Sequence, residues 1–64
     1  MKGKVKWYDI KKGYGFITSE DGKDIFIHKN EVPYWNIFLN KGDKVNFIKK
    51  NTHKGIEATN IKVI

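Results

Sequence analysis

Tyr14-Gly15-Phe16-Ile17-Thr18-Ser19, followed across the turn Glu20-Asp21-Gly22 by Asp24-Ile25-Phe26-Ile27-His28, is the stretch that decides the architecture. Successive side chains of an extended strand point to opposite faces. Tyr14, Phe16 and Thr18 therefore share one face, and Gly15, Ile17 and Ser19 the other. Across the turn, Phe26 and His28 lie opposite Ile25 and Ile27. Both faces are apolar, one aromatic and one aliphatic. A strand inside a parallel sheet is also apolar on both faces. That arrangement needs crossover helices, and 64 residues do not supply them. One face must look outward. Ile17, Ile25 and Ile27, with Val5, Val45 and Phe47, are the expected interior of a narrow barrel. The rings are then expected outside, where a contiguous apolar patch marks an interaction site.

Turn signals recur on either side of this hairpin, at Lys12-Gly13, Lys41-Gly42-Asp43 and Asn51 to Gly55. The segments between them are rich in Val, Ile, Phe, Tyr and Trp, the pattern of short strands. Strands are expected at about Lys2 to Asp9, Tyr14 to Ser19, Asp24 to Lys29, Lys44 to Lys50 and Ile56 to Ile64. No segment has a sustained helical period. Asn30 to Asp43 carries the only proline, Pro33, and reads as an ordered loop or a 3₁₀ turn. Five short strands favour an all-β barrel, closed or nearly closed, because closure removes sheet edges. The first strand breaks the pattern, since strict alternation puts Trp7 on the same side as Val5. A bulge or a sharp bend would resolve this.

Composition narrows the function classes. Thirteen lysines, no arginine and seven acids give a net charge of +6. The chain is expected to be a single domain spanning 1–64, since one this short buries only roughly 60% of its unfolded surface. Without cysteine there is neither a disulfide nor a thiolate metal site. His28 and His53 are far apart in sequence and make no metal site, and no cofactor is expected. No apolar run approaches the ~20 residues that a membrane span needs. The stretch Met1 to Lys6 is charged with no apolar stretch behind it, so it does not read as a signal peptide. A cytoplasmic monomer is expected.

Lys4 and Lys6 lie beside Trp7, and Lys12 beside Tyr14. Cations interleaved with flat rings suit single-stranded nucleic acid, whose phosphates need positive charge and whose unpaired bases offer faces for stacking. Duplex DNA hides those faces and would meet only the lysines. His28, on the face of Phe26, suits stacking or hydrogen bonding to a base, whereas His53 sits in a polar turn. Asp24 has two readings, acceptor for a base edge or fastener of the hairpin. Single lysines away from rings, such as Lys44 and Lys62, read as solvated surface. Trp35 and Tyr34 could extend the platform, or one could plug the barrel with Ile37, Phe38 and Leu39.

These residues resemble the cold-shock domain family over essentially the whole chain. Lys12-Gly13-Tyr14-Gly15-Phe16-Ile17 fits the K/R-G-F/Y-G/A-F-V core of the first ribonucleoprotein motif. Gly3-Lys4-Val5-Lys6-Trp7-Tyr8 is similar to the family's G-K-V-K-W-F, and Asp24-Ile25-Phe26-Ile27-His28 to its second motif, D-V-F-V-H. The resemblance implies a five-stranded antiparallel OB-fold barrel that binds single-stranded RNA and DNA and acts as an RNA chaperone. It implies stacking by Trp7, Phe16, Phe26 and His28, support from Tyr8 and Tyr14, and polar contacts from Lys6, Lys12, Asp24 and Lys54. Lys29 stands where the family usually has an aromatic, which suggests a phosphate contact in place of a stack. The long loop is about one residue shorter than in common bacterial members, and Trp35 is the expected stand-in for its aromatic.

Two other classes compete. A protein-interaction barrel of the SH3 kind would grip a proline-rich ligand with its aromatics. It lacks acidic specificity loops here, and the +6 charge opposes basic partners. A small hydrolase would need convergent acids or a nucleophile–base pair, and the sequence shows neither. No small-molecule substrate is expected.

Overall fold

The computed structural model describes residues 1–32 and 39–64. Five strands, β1 (Lys2–Asp9), β2 (Tyr14–Ser19), β3 (Asp24–His28), β4 (Lys44–Thr52) and β5 (Gly55–Val63), close into a barrel in the order β1-β2-β3-β5-β4. The ladders are antiparallel except the one that closes the barrel, where β3 and β5 meet in parallel through Phe26 and Glu57. The expected strands are all present, with small shifts at their ends. β3 stops at His28, and Lys29 passes into a 3₁₀ turn over Lys29–Glu31. β4 runs two residues further than Lys50, because the Asn51 and Thr52 backbones still pair with Ile56 and Gly55.

The strict alternation of β2 and β3 is realised in space. Ile17, Ile25 and Ile27 are buried, and they join Val5, Val45, Phe47, Ala58 and Ile61 in the barrel interior. Val32 and Leu39 complete that core among the described residues. Each buried Val, Ile, Leu or Phe side chain contributes about 1.5–3 kcal/mol relative to leaving it in water.

Two bulges let the other strands serve both faces. Val5 pairs with Ile17 and Trp7 with Phe16, so Lys6 is one residue too many on β1. The extra residue turns the strand over. Val5 points in and Trp7 out, at 38% exposure. On β5, Lys62 and Thr59 pair with Asn46 and Ile48, which inserts a residue between buried Ala58 and Ile61. Asn60 takes the left-handed conformation there, φ 51°, which asparagine tolerates better than most residues.

Gly15 is demanded by close approach. A Cβ there would overlap the Trp7 carbonyl oxygen and crowd the Tyr8 Cα. Its absence lets β1 lie tightly over the start of β2. Among the described residues no helix is long and apolar enough to cross a membrane.

Candidate nucleic-acid interface

The ring face is assembled by register. Tyr14 pairs with His28, Phe16 with Phe26 and Thr18 with Asp24 across β2 and β3, while the β1 bulge sets Trp7 opposite Phe16. Cross-strand partners share a face, so these side chains form one outward field. Ring centroids lie 5.5 Å apart for Trp7–Phe16, 5.7 Å for Trp7–Tyr14, 5.6 Å for Phe16–Phe26 and 6.0 Å for Tyr14–Phe26. Interplanar angles run from 28° to 74°. Trp7–Tyr14 and Phe16–Phe26 meet edge to face, Trp7–Phe16 is tilted and Tyr14–Phe26 is stacked, all within the range where aromatic pairs attract. Trp7 is exposed and the others are half-buried, each keeping part of its surface in water.

His28 closes one end of this field. Its Nδ1 accepts the Asn30 backbone N–H at 3.2 Å and so caps the 3₁₀ turn. With Nδ1 occupied as an acceptor, the neutral imidazole carries its proton on Nε2, a donor without a partner among the described residues.

Asp24 closes the other end. Its carboxylate accepts from the Lys6 ammonium at 2.7 Å and from the Thr18 hydroxyl at 3.1 Å. The hydrogen bond from Lys6, aided by Thr18 and by the lysine's charge, holds its pKa below the usual carboxylate value. The pair is solvent-exposed, and its net contribution to stability is small. Of the two readings of Asp24, the fastening of the hairpin and of β1 is present in the structure. The Lys6–Asp24 pair sets a positive and a negative group side by side at the platform edge.

The turn before β2 is held by Asp9, whose carboxylate takes the backbone N–H groups of Lys11 at 2.9 Å and Lys12 at 3.0 Å. Those bonds, chiefly that from Lys12, lower the Asp9 pKa. Both lysine side chains of this turn are exposed. Lys29 is exposed, and its stem runs along Gly13. Gly13 takes φ 78° and its carbonyl accepts the Lys29 N–H at 2.8 Å.

Between β3 and β5 a cleft of about 360 Å³ is lined by Phe16, Asp24, Phe26, Lys54, Ile56 and Glu57. It brings Lys54 to the platform although the residue sits in the distant β4–β5 turn. Ile56 and Glu57 were not singled out from sequence. Their place depends on the parallel β3–β5 closure, which no local pattern in the sequence signals. Tyr8 is not among the rings that meet in this field. It is half-buried, packs against the core, and burial raises its phenol pKa. Trp35, with its neighbour Tyr34, lies outside the described residues. No group of three metal-ligating side chains occurs among the described residues.

Comparison with known proteins bears on this geometry. The family model for the "Cold-shock" DNA-binding domain matches residues 1–64. A cold shock-like protein of Thermotoga maritima is 43% identical over 65 aligned residues, covering 100% of this chain and 98% of that protein. The major cold shock protein of Pseudomonas aeruginosa is 40% identical, covering 100% and 94%. A cold shock-like protein of Escherichia coli is 45% identical, covering 95% and 91%.

Proposed function

This chain belongs to the cold-shock DNA-binding domain family, and we propose from that premise that residues 1–64 work as a single domain that traps single-stranded RNA and DNA by stacking. It is a nucleic-acid-binding protein of the cold-shock type. In our reading the bases lie on Trp7, Phe16, Phe26 and His28, with Tyr14 bracing the rings and Tyr8 supporting them from the core side. Lys6, Lys12, Lys29 and Lys54 meet phosphates, Asp24 orients Lys6 or accepts from a base edge, and Trp35 offers one further ring to a base. The observation that carries this is the packing of four outward rings at centroid spacings of 5.5–6.0 Å over an aliphatic core.

The mechanism is competition. A base stacked on a ring is withdrawn from intramolecular pairing, and each stack contributes about 1–3 kcal/mol. Few stacks and screened phosphate contacts keep binding reversible, so the strand is released to refold or be translated. That is RNA chaperoning without a covalent step, by a monomer working in the cytoplasm. Titrating oligo-dT or oligo-U should quench Trp7 fluorescence, and a proline-rich peptide should leave it unchanged. Quenching by the peptide alone would turn the face over to a protein ligand.

A further inference from the structure

A second basic surface adjoins the platform around the barrel. On β1, Lys4 pairs with Thr18 of β2 on one side and with Lys44 of β4 on the other. One step along, Lys2 pairs with Asn46, which pairs with Lys62 of β5. All four lysines are exposed, and the core residues Val5 and Val45 sit on the opposite face. Lys2, Lys4 and Lys44 line a groove of about 340 Å³, with Thr18, Glu20 and Ile64 among its other walls. Among the described residues none of these lysines forms a salt bridge, since the two ion pairs present are Lys6–Asp24 and Lys49–Asp21.

Like charges directly opposite on paired strands are destabilising, so the Lys4–Lys44 rung is unfavourable in the free protein and favours an anion over it. The groove is continuous with the platform. Thr18 follows Phe16 on the outer face of β2, about 6.6 Å further along at ordinary strand rise, and Lys4 is the next rung sideways.

We infer that the Lys2–Lys4–Lys44–Lys62 strip holds the sugar-phosphate backbone of the same nucleic-acid strand after it leaves the aromatic platform. This rests on the stacking reading above and extends it. The platform takes bases of a short strand, and the strip adds charge contacts that only a longer strand reaches. Glu20, a carboxylate on the groove wall, limits the path to the lysine side.

The test compares oligo-dT of about four and about twelve nucleotides, the lower end and the upper half of the site sizes of such barrels. The double variant Lys4→Gln/Lys44→Gln is titrated with both at several salt concentrations. Loss of two phosphate contacts should flatten the log–log salt slope for the long strand by about 1.4, and weaken it about 25-fold at 0.1 M salt relative to 1 M. The short strand should bind both proteins equally. Lys41→Gln/Lys50→Gln removes the same charge away from the groove and should leave the long-strand slope at the parent value. Equal losses for both oligonucleotides, or no loss for either, would overturn the strip while leaving the platform standing. A parent chain that fails to bind the short strand would instead count against the platform. A sedimenting dimer that disappears in the Lys4→Gln/Lys44→Gln variant, with the salt slope unmoved, would give the groove to a second copy and also overturn the inference.

Discussion

Phe16 and Ile17 are neighbours in sequence with opposite expected mutational effects. Phe16 is half-buried on the outer face, with Trp7 and Phe26 at 5.5 and 5.6 Å. Ile17 is fully buried in the barrel. Phe16→Ala removes one stacking surface, about 1–3 kcal/mol of binding, which corresponds to a roughly 5- to 150-fold rise in Kd. It also loses two ring pairs worth about 0.5–1.5 kcal/mol each, so binding should be measured by calorimetry well below the melting transition. Ile17→Ala leaves a cavity costing about 2–5 kcal/mol. A chain of this length has only roughly 3–10 kcal/mol of total stability. Circular dichroism melting should therefore show Ile17→Ala strongly destabilised or unfolded and Phe16→Ala folded at low temperature. The residual folded fraction of Ile17→Ala should bind oligo-dT with parental affinity. Parental binding by Phe16→Ala, or a more stable Ile17→Ala than Phe16→Ala, would refute the assignment of faces.

Lys12→Gln should flatten the salt dependence of oligo-dT binding by about 0.7, and an unchanged slope would remove Lys12 from the phosphate contacts. Gly15→Ala forces a Cβ against the Trp7 carbonyl and should lower stability by about 1–3 kcal/mol; a parental melting temperature would contradict the close approach of β1 and β2. The Asp21 carboxyl is lowered to about 2, first by the Ser19 hydroxyl and then by the Lys23 N–H, with help from Lys49. Its folded pKa lies below its unfolded one, so its contribution is complete above the ordinary carboxylate pKa and is lost as pH falls toward 2. An NMR titration should find the Asp21 midpoint near 2, and Asp21→Asn should flatten the melting temperature between pH 4 and 2; a midpoint near 4 would rule out the Ser19 contact.

Strand positions, the core residues Val5, Ile17, Ile25, Ile27, Val45 and Phe47, and the outward rings of β2 and β3 were legible in sequence because β periodicity is a local property, whereas Val32, Ala58 and Ile61 of the core were not. Two residues of alternating type and a turn signal suffice to assign a face, and Tyr14–Ser19 and Asp24–His28 carried that signal without interruption. The lysines beside the rings announced a polyanion for the same reason. The motifs Gly3 to Tyr8, Lys12 to Ile17 and Asp24 to His28 together carry the family resemblance within the sequence itself.

Tertiary structure decided what local pattern leaves open. The Lys6 bulge turned Trp7 outward, and alternation by itself placed that ring inside. The barrel closure brought Glu57 and Ile56 to Phe16 and Phe26, and Lys54 with them, across contacts that no short window contains. Strand pairing also set Asp24 against Lys6 and Thr18, and Lys4 opposite Lys44, although Lys6 and Asp24, like Lys4 and Lys44, are far apart in sequence. Faces follow from the geometry of one extended chain. Which faces meet depends on how five such chains shear and close around a common core, and that is a property of the packed whole.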